Sequence, residues 1–309
     1  MSPTESTVTL RRAAAPDAPR MMLLHGLAEN ESVWDACLPA LPASHEIWSA
    51  SLPWSAEGVT DWGADVDLTE RLREALEAAP GAVDVVVAHS MSANVLLDLL
   101  DRDGRAGGGL LARYGIRALV LVSPFYRRSA EEFDWRTISY YLNDFHLIME
   151  EGLRVHSGGR LPADLQAAMA ERVRDRVGPY GWLRFFELYL RTPLLRTSAI
   201  TTRALVLGGE HDFAAPPGEA RTLAAALPDA DVHVLTGCGH FPMIEAAERF
   251  ASRVTSFVDS LSRPAPTGGP APSGPGTSGP ASTPEPHEPL GTGPAPRGAV
   301  PVTALEHRR

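Results

Sequence analysis

The chain has 309 residues, a formal charge of -10 and 28 basic residues, every one of them arginine. The absence of lysine excludes a Schiff base, a phosphate-loop lysine, a kinase-type lysine and a Ser–Lys dyad. The acidic balance, with arginine adjacent only in pairs such as Arg127-Arg128, argues against nucleic-acid or anionic-membrane partners.

A hydrophobic content of 44% is enough for a core, and no run of eighteen apolar residues predicts a membrane span. Met1-Ser2-Pro3-Thr4-Glu5 lacks the pattern of a secretory leader. Cys37 and Cys238 are far apart and, with the scattered histidines, show no zinc spacing. The expectation is a cytoplasmic protein without metal or cofactor, a monomer or homodimer. The arginine-only basic set, with abundant alanine and proline, suits a GC-rich bacterial coding bias.

In chain order, short apolar runs end at turn residues. They are Thr7–Leu10, Met21–Leu24 before His25-Gly26, Glu46–Ala50 before Pro53, and Val85–Ala88 before Ser90. Ala118–Val122 before Pro124, Ala204–Leu207 before Gly208-Gly209, and Asp231–Leu235 before Gly237 follow. Runs of this length suit strands buried on both faces, and the segments between them suit helices. Thr69–Ala79 carries a four-residue leucine repeat, and Met243–Leu261 one apolar stripe. The alternation predicts an α/β fold, a mostly parallel central sheet with helices on both faces and functional groups at the carboxyl ends of the strands. Residues 129–198 break the rhythm as an aromatic-rich helical insertion, expected to be a cap or lid. The core is then 7–128 and 199–262. Residues 263–309 hold 12 prolines and 8 glycines in 47 positions and read as a disordered tail.

Ser90 stands at a corner between a strand and a helix, where a serine projects from the sheet edge. A helix-capping serine is the other reading. Ala88 and Ser92 flank it where a strict Gly-x-Ser-x-Gly has two glycines. His25-Gly26-Leu27 follows an early strand, so the backbone N–H groups of Leu27 and Met91 are candidate oxyanion donors. Asp212 follows one late strand and His240 the next. Serine, acid and histidine in that chain order fit a nucleophile, orienter and base.

These motifs resemble the α/β-hydrolase superfamily over residues 20–262. His25-Gly26 with Trp34 is similar to its oxyanion loop and following helix, and Leu52–Gly58 to an altered form of its glycine-containing loop. Ala88-His89-Ser90-Met91-Ser92 is similar to its nucleophile elbow, Asp212 with Pro216-Pro217 to its acid loop, and Gly239-His240-Phe241-Pro242 with Glu245 to its base loop. The resemblance implies a serine hydrolase with the triad Ser90, Asp212 and His240 and a small-molecule acyl substrate: an ester, thioester or lactone. An acyltransferase or cyclase, a carbon–carbon bond hydrolase or cofactor-free oxygenase or lyase, and a non-catalytic binding protein remain open. A serine nucleophile argues against dehalogenase and epoxide hydrolase chemistry. Trp135, Tyr140, Tyr141 and Phe145 are expected to line an apolar acyl pocket. His25 is a further substrate-binding candidate, with support of the oxyanion loop as its other role. Glu29, Asn30 and Glu31 lie beside the oxyanion loop as weaker candidates to meet a polar substrate group, and His156 reads as a packing or solvated histidine. Relatives carry two strands before the oxyanion strand. Here one precedes it, so the first sheet edge is expected to be trimmed.

Overall fold

A computed structural model describes residues 6–55, 62 and 67–261. The expected tail at 263–309 and Ala56–Gly58 of the altered loop lie outside the described residues. In chain order the elements are β1 (Thr7–Arg12), β2 (Arg20–Leu24), β3 (Glu46–Ser51), α1 (Leu68–Glu77), β4 (Val85–His89), α2 (Met91–Arg105), α3 (Leu110–Tyr114) and β5 (Ala118–Val122). The insertion then contributes α4 (Trp135–Asn143), α5 (Phe145–Ser157) and α6 (Ala163–Leu190). β6 (Arg203–Gly209), α7 (Pro217–Ala226), β7 (Ala230–Leu235), α8 (Pro242–Glu245) and α9 (Ala247–Leu261) complete the described chain.

The described strands form one sheet in the order β1-β3-β2-β4-β5-β6-β7. β1 runs antiparallel to β3, and every other neighbouring pair is parallel. Among the described residues only β1 precedes the oxyanion strand β2, so that sheet edge is short by one strand. Both faces of the central strands are apolar. Met22, Leu24, Val86, Leu119 and Leu121 join one core, while Met21, Leu23, Val85, Val87 and Val120 join another. Alternate residues of a strand point to opposite faces, so each run supplies two helix layers at once.

α1 begins at Asp67, whose carboxylate accepts from Thr69 N–H, and it buries Leu68, Leu72, Ala75 and Leu76. In the insertion, Tyr141, Phe145, Phe185 and Tyr189 enter the same core as Val86 and Leu121. The described residues thus belong to one compact unit. α6 kinks at Gly178 (φ 63°, ψ 172°) immediately before Pro179, because proline removes a helical donor and displaces the preceding turn. The helix expected over Met243–Leu261 is interrupted at Ala246 (φ -142°, ψ 47°). Glu245 folds back there to accept from Gly239 N–H and Phe241 N–H, both at 3.0 Å, and the apolar stripe did not reveal this demand. No helix among the described residues is long and apolar enough to cross a membrane.

Candidate active site

Ser90 occupies the corner between β4 and α2 with φ 53° and ψ -124°. A non-glycine residue at positive φ costs on the order of 1–3 kcal/mol, and such strain persists only where the surroundings over-determine it. Here β4 and the first eleven residues of α2, Met91 to Asp101, are buried, and Ser90 N–H is held by Val122 O at 2.8 Å. The turn aims the side chain across the strand ends. Ser90 Oγ lies 2.9 Å from His240 Nε2. His240 Nδ1 lies 2.9 Å from Asp212 Oδ2. Asp212 Oδ1 accepts from Ala214 N–H at 3.0 Å and Ala215 N–H at 2.8 Å.

The acid and base loops approach closely at Gly209, where a Cβ would fall 2.0 Å from Gly239 O. His240 is buried. Burial by itself would depress its pKa, but the charge of Asp212 and their hydrogen bond outweigh this and hold it above the ordinary imidazole value. His89 is pushed well below that value by burial and by the neighbouring His240. It is therefore neutral, and its Nε2–H donates to the His240 carbonyl at 3.0 Å.

Leu27 lines a cavity in front of Ser90. Met91 is the first residue of α2, where backbone N–H groups have no helical acceptor, and its side chain is fully buried. The cavity encloses about 200 Å³, small beside the roughly 300–1,000 Å³ of common ligand pockets. Ser90, His240, His89, Glu29, Asn30, Ser32 and His156 supply its polar atoms, and apolar side chains dominate the rest. Among the described residues no group of three or more His, Cys, Asp or Glu side chains is placed to hold a metal ion. Cys37 and Cys238 are free and buried.

Of the expected acyl-pocket residues, Phe145 lines this cavity, and Trp135, Tyr140, Tyr141 and His25 do not. Trp135 opens α4 and is 82% exposed, because the packed face of that helix begins further along. Tyr140 packs edge-on against Tyr141. Tyr141 is buried against the acid loop, where its hydroxyl donates to Ala214 O at 2.8 Å. It therefore steadies the residue whose N–H holds Asp212. His25 is buried, and desolvation lowers its pKa to about 4 despite a hydrogen bond to the Gly26 carbonyl. Its Nε2 accepts from Leu52 N–H at 3.0 Å, so the ring ties the oxyanion loop to the end of β3.

Phe125, Phe185, Ile148, Met149 and Phe241 also line the cavity, where the sequence reading did not place them. Ile148 and Met149 follow Phe145 at helical spacing, a signal that was available. Phe125 had none: its backbone is clamped by Asn94, which donates to its O at 2.7 Å and accepts from its N–H at 3.2 Å.

Ser92, at an elbow position otherwise expected to be glycine, has a specific partner. Its hydroxyl donates to the His25 carbonyl. Trp54 Nε1 approaches the same carbonyl at 3.3 Å and Ser92 Oγ at 3.2 Å. The elbow helix is thereby stitched to the oxyanion loop. Ser92→Ala is expected to lower kcat about tenfold with little change in KM and to cost about 1 kcal/mol in urea unfolding. Ser92→Thr should recover most of both, and an unchanged kcat in Ser92→Ala would refute the coupling.

The sequence profile of the alpha/beta hydrolase family matches residues 21–253. The chain belongs to that family. Among curated relatives it is 42% identical over 60 residues to 2-hydroxymuconate semialdehyde hydrolase of Pseudomonas putida, 19% of this chain and 21% of that protein. A second hydrolase, from Burkholderia vietnamiensis, matches over 22% of its length, so the chain spans only about a fifth of these relatives. The pimeloyl-[acyl-carrier protein] methyl ester esterase of Vibrio atlanticus is 25% identical over 81% of this chain and 98% of its own. Among solved structures, Est816, described as an N-acyl homoserine lactone degrading enzyme, aligns with a TM-score of 0.59 at 15% identity, covering 82% of this chain and 96% of its own. A thermophilic esterase from Thermogutta terrifontis aligns with a TM-score of 0.55 at 19% identity over 83% and 92%. These structural likenesses establish the fold.

Proposed function

We propose that this alpha/beta hydrolase is a serine hydrolase that cleaves an ester, thioester or lactone of a small, mainly apolar molecule through an acyl-enzyme on Ser90. The observation that carries the reading is the continuous path from Ser90 Oγ through His240 to Asp212, 2.9 Å at each step, opening on a small apolar cavity. Ser90 Oγ attacks the carbonyl carbon while His240 Nε2 takes its proton, and the electron pair of the carbonyl moves onto oxygen. The N–H groups of Leu27 and Met91 receive that charge. Collapse expels the alcohol or thiol, which leaves with the proton from His240. Water then repeats the sequence on the acyl-enzyme and frees Ser90. Asp212 holds the proton on Nδ1 throughout and stabilises the imidazolium. Residues 129–198 act as the cap, because α5 and α6 contribute Phe145 and Phe185 to the cavity wall.

The esterase relative from Vibrio atlanticus and the lactone-degrading fold neighbour support this reaction class. The Burkholderia vietnamiensis relative is named for dioate substrates. Its substrate class suits this cavity poorly, because the described lining residues include Glu29 and no arginine. Intact mass after treatment with a fluorophosphonate tests the proposal. One adduct is expected on the native chain and none on Ser90→Ala. A folded chain that takes up no reagent would remove the nucleophile, and the reading with it.

A further inference from the structure

One wall of the cavity is a single stripe of α5. Phe145, Ile148, Met149, Gly152, Leu153 and His156 recur at helical spacing, and all of them line it. The chemistry changes along the axis, from Phe145 at one end to His156 about 16 Å further on at about 1.5 Å per residue. Ring contacts link the imidazole of His240 to both ends. One path runs from His240 to Phe125 (5.7 Å), from Phe125 to Phe185 (4.9 Å) and from Phe185 to Phe145 (5.7 Å). The other runs from His240 to Phe241 (5.3 Å) and from Phe241 to His156 (6.1 Å).

His156 Nε2 is bonded to Glu29 Oε2 at 2.7 Å, which joins α5 to the loop that carries Leu27. The bond to Glu29 and its charge raise the pKa of His156 against the opposing effect of burial. The second carboxylate oxygen, Glu29 Oε1, would lie 3.2 Å from a Cβ at position 152, so glycine there leaves it room. Asn30 and Ser32 line the cavity with this pair.

We propose that the Glu29–His156 end is a subsite for a hydroxyl or amide group. The substrate would then carry a compact apolar portion on one side of the scissile bond and a hydrogen-bonding group on the other. A bare alkyl chain there would strip water from Glu29 and His156 without replacing it. A substrate carboxylate would meet Glu29, and the one basic side chain beside it, His156, is already paired with Glu29. A hydroxyl or amide donates to Glu29 and accepts from its neighbours. The inference rests on the acyl-enzyme reading and names the substrate class for the same site.

The test uses two near-isosteric ester pairs, one for each side of the bond: 2-hydroxyethyl butanoate against propyl butanoate, and ethyl 3-hydroxybutanoate against ethyl 3-methylbutanoate. The hydroxylated member of one pair should be favoured about tenfold in kcat/KM, mostly through KM. Glu29→Leu and His156→Leu should each abolish the preference, and His156→Asn, which retains a donor, should restore part of it. Melting curves and the rate of Ser90 labelling report whether each variant is folded. Equal rates within both pairs, or a preference that survives both leucine substitutions, would overturn the subsite. If Ser90 is labelled but none of the four esters is cleaved, the subsite falls and the nucleophile stands. If Ser90 is not labelled, the acyl-enzyme reading itself fails.

Discussion

Asp212→Asn should lower kcat about 10⁴-fold and leave the fold unchanged. The reason lies in how the carboxylate is divided. Oδ1 is committed to the N–H groups of Ala214 and Ala215, and Oδ2 faces His240 Nδ1 at 2.9 Å. In an asparagine the oxygen stays with the two backbone donors, since turning it away would leave both buried without a partner. The NH₂ then faces Nδ1 and forces that nitrogen to accept. The imidazole proton moves to Nε2, where it points at Ser90 Oγ and cannot receive the proton of the serine.

The pH profile gives a second readout. His240 works as a base in its neutral form, so kcat/KM should rise with pH through a pKa held above the ordinary imidazole value. Burial is the largest influence on that pKa and acts downward; Asp212 is what overcomes it. Without the carboxylate charge the ascending limb should move to lower pH while the plateau falls. Steady-state rates on an aryl ester between about pH 5 and about pH 9 would show this. A limb that stays in place would mean that the profile titrates some other group.

Arg127→Met should destabilise the protein by about 3 kcal/mol at neutral pH, toward the lower end of the cost of breaking a buried ion pair because Arg127 is partly exposed. Glu219 on α7 is 6% exposed. It accepts from Tyr126 N–H at 2.7 Å and from the Tyr189 hydroxyl, and Arg127 Nε lies 3.1 Å away. Arg127 also donates to the Tyr189 oxygen at 2.8 Å. The cluster ties the chain after β5 to α6 of the insertion and to α7.

Burial raises the Glu219 pKa to about 7, against the downward pull of Tyr189, Tyr126 and Arg127. A carboxyl raised above its unfolded value contributes stability that is present below the unfolded pKa, near 4.3, and lost as pH rises through the folded pKa. Removing Arg127 raises the folded pKa further. The loss then continues to higher pH, and the deficit against the parent protein should widen from about pH 5 to about pH 8. Adding Glu219→Gln should recover most of the deficit. Urea unfolding of the single and double variants across that range checks this, and a deficit independent of pH would show that lost packing, not the uncompensated carboxylate, sets the cost.

The parts of the site that were legible in the sequence share one property: each is local. Val85–Ala88 is too apolar and too short to be anything but a buried strand, and a serine directly after it, followed by a helical run, already describes a corner. Asp212 and His240 each sit just past a strand of the same kind. Parallel strands bring their carboxyl ends to one edge of a sheet, so order along the chain becomes proximity in space. The break at Ala246 was hidden because a hydrophobic stripe reports which face is buried and not which backbone N–H groups a loop must satisfy. Trp135 and Tyr141 misled for a related reason. Aromatic character marks a residue able to line a pocket, but the rotation of α4 turns one into solvent and the other toward Ala214.

The sequence by itself determined the chain order of serine, acid and histidine after their strands, the corner at Ser90, and the absence of any lysine nucleophile. Tertiary structure alone decided what Ser92 bonds to, which aromatics face the cavity, and that Glu29 meets His156 across 127 residues. The physical reason is range. Strand and turn propensities act over a few residues, whereas a hydrogen bond between a core loop and a cap helix depends on how two separately folded faces come to rest. No local pattern of residues encodes that docking.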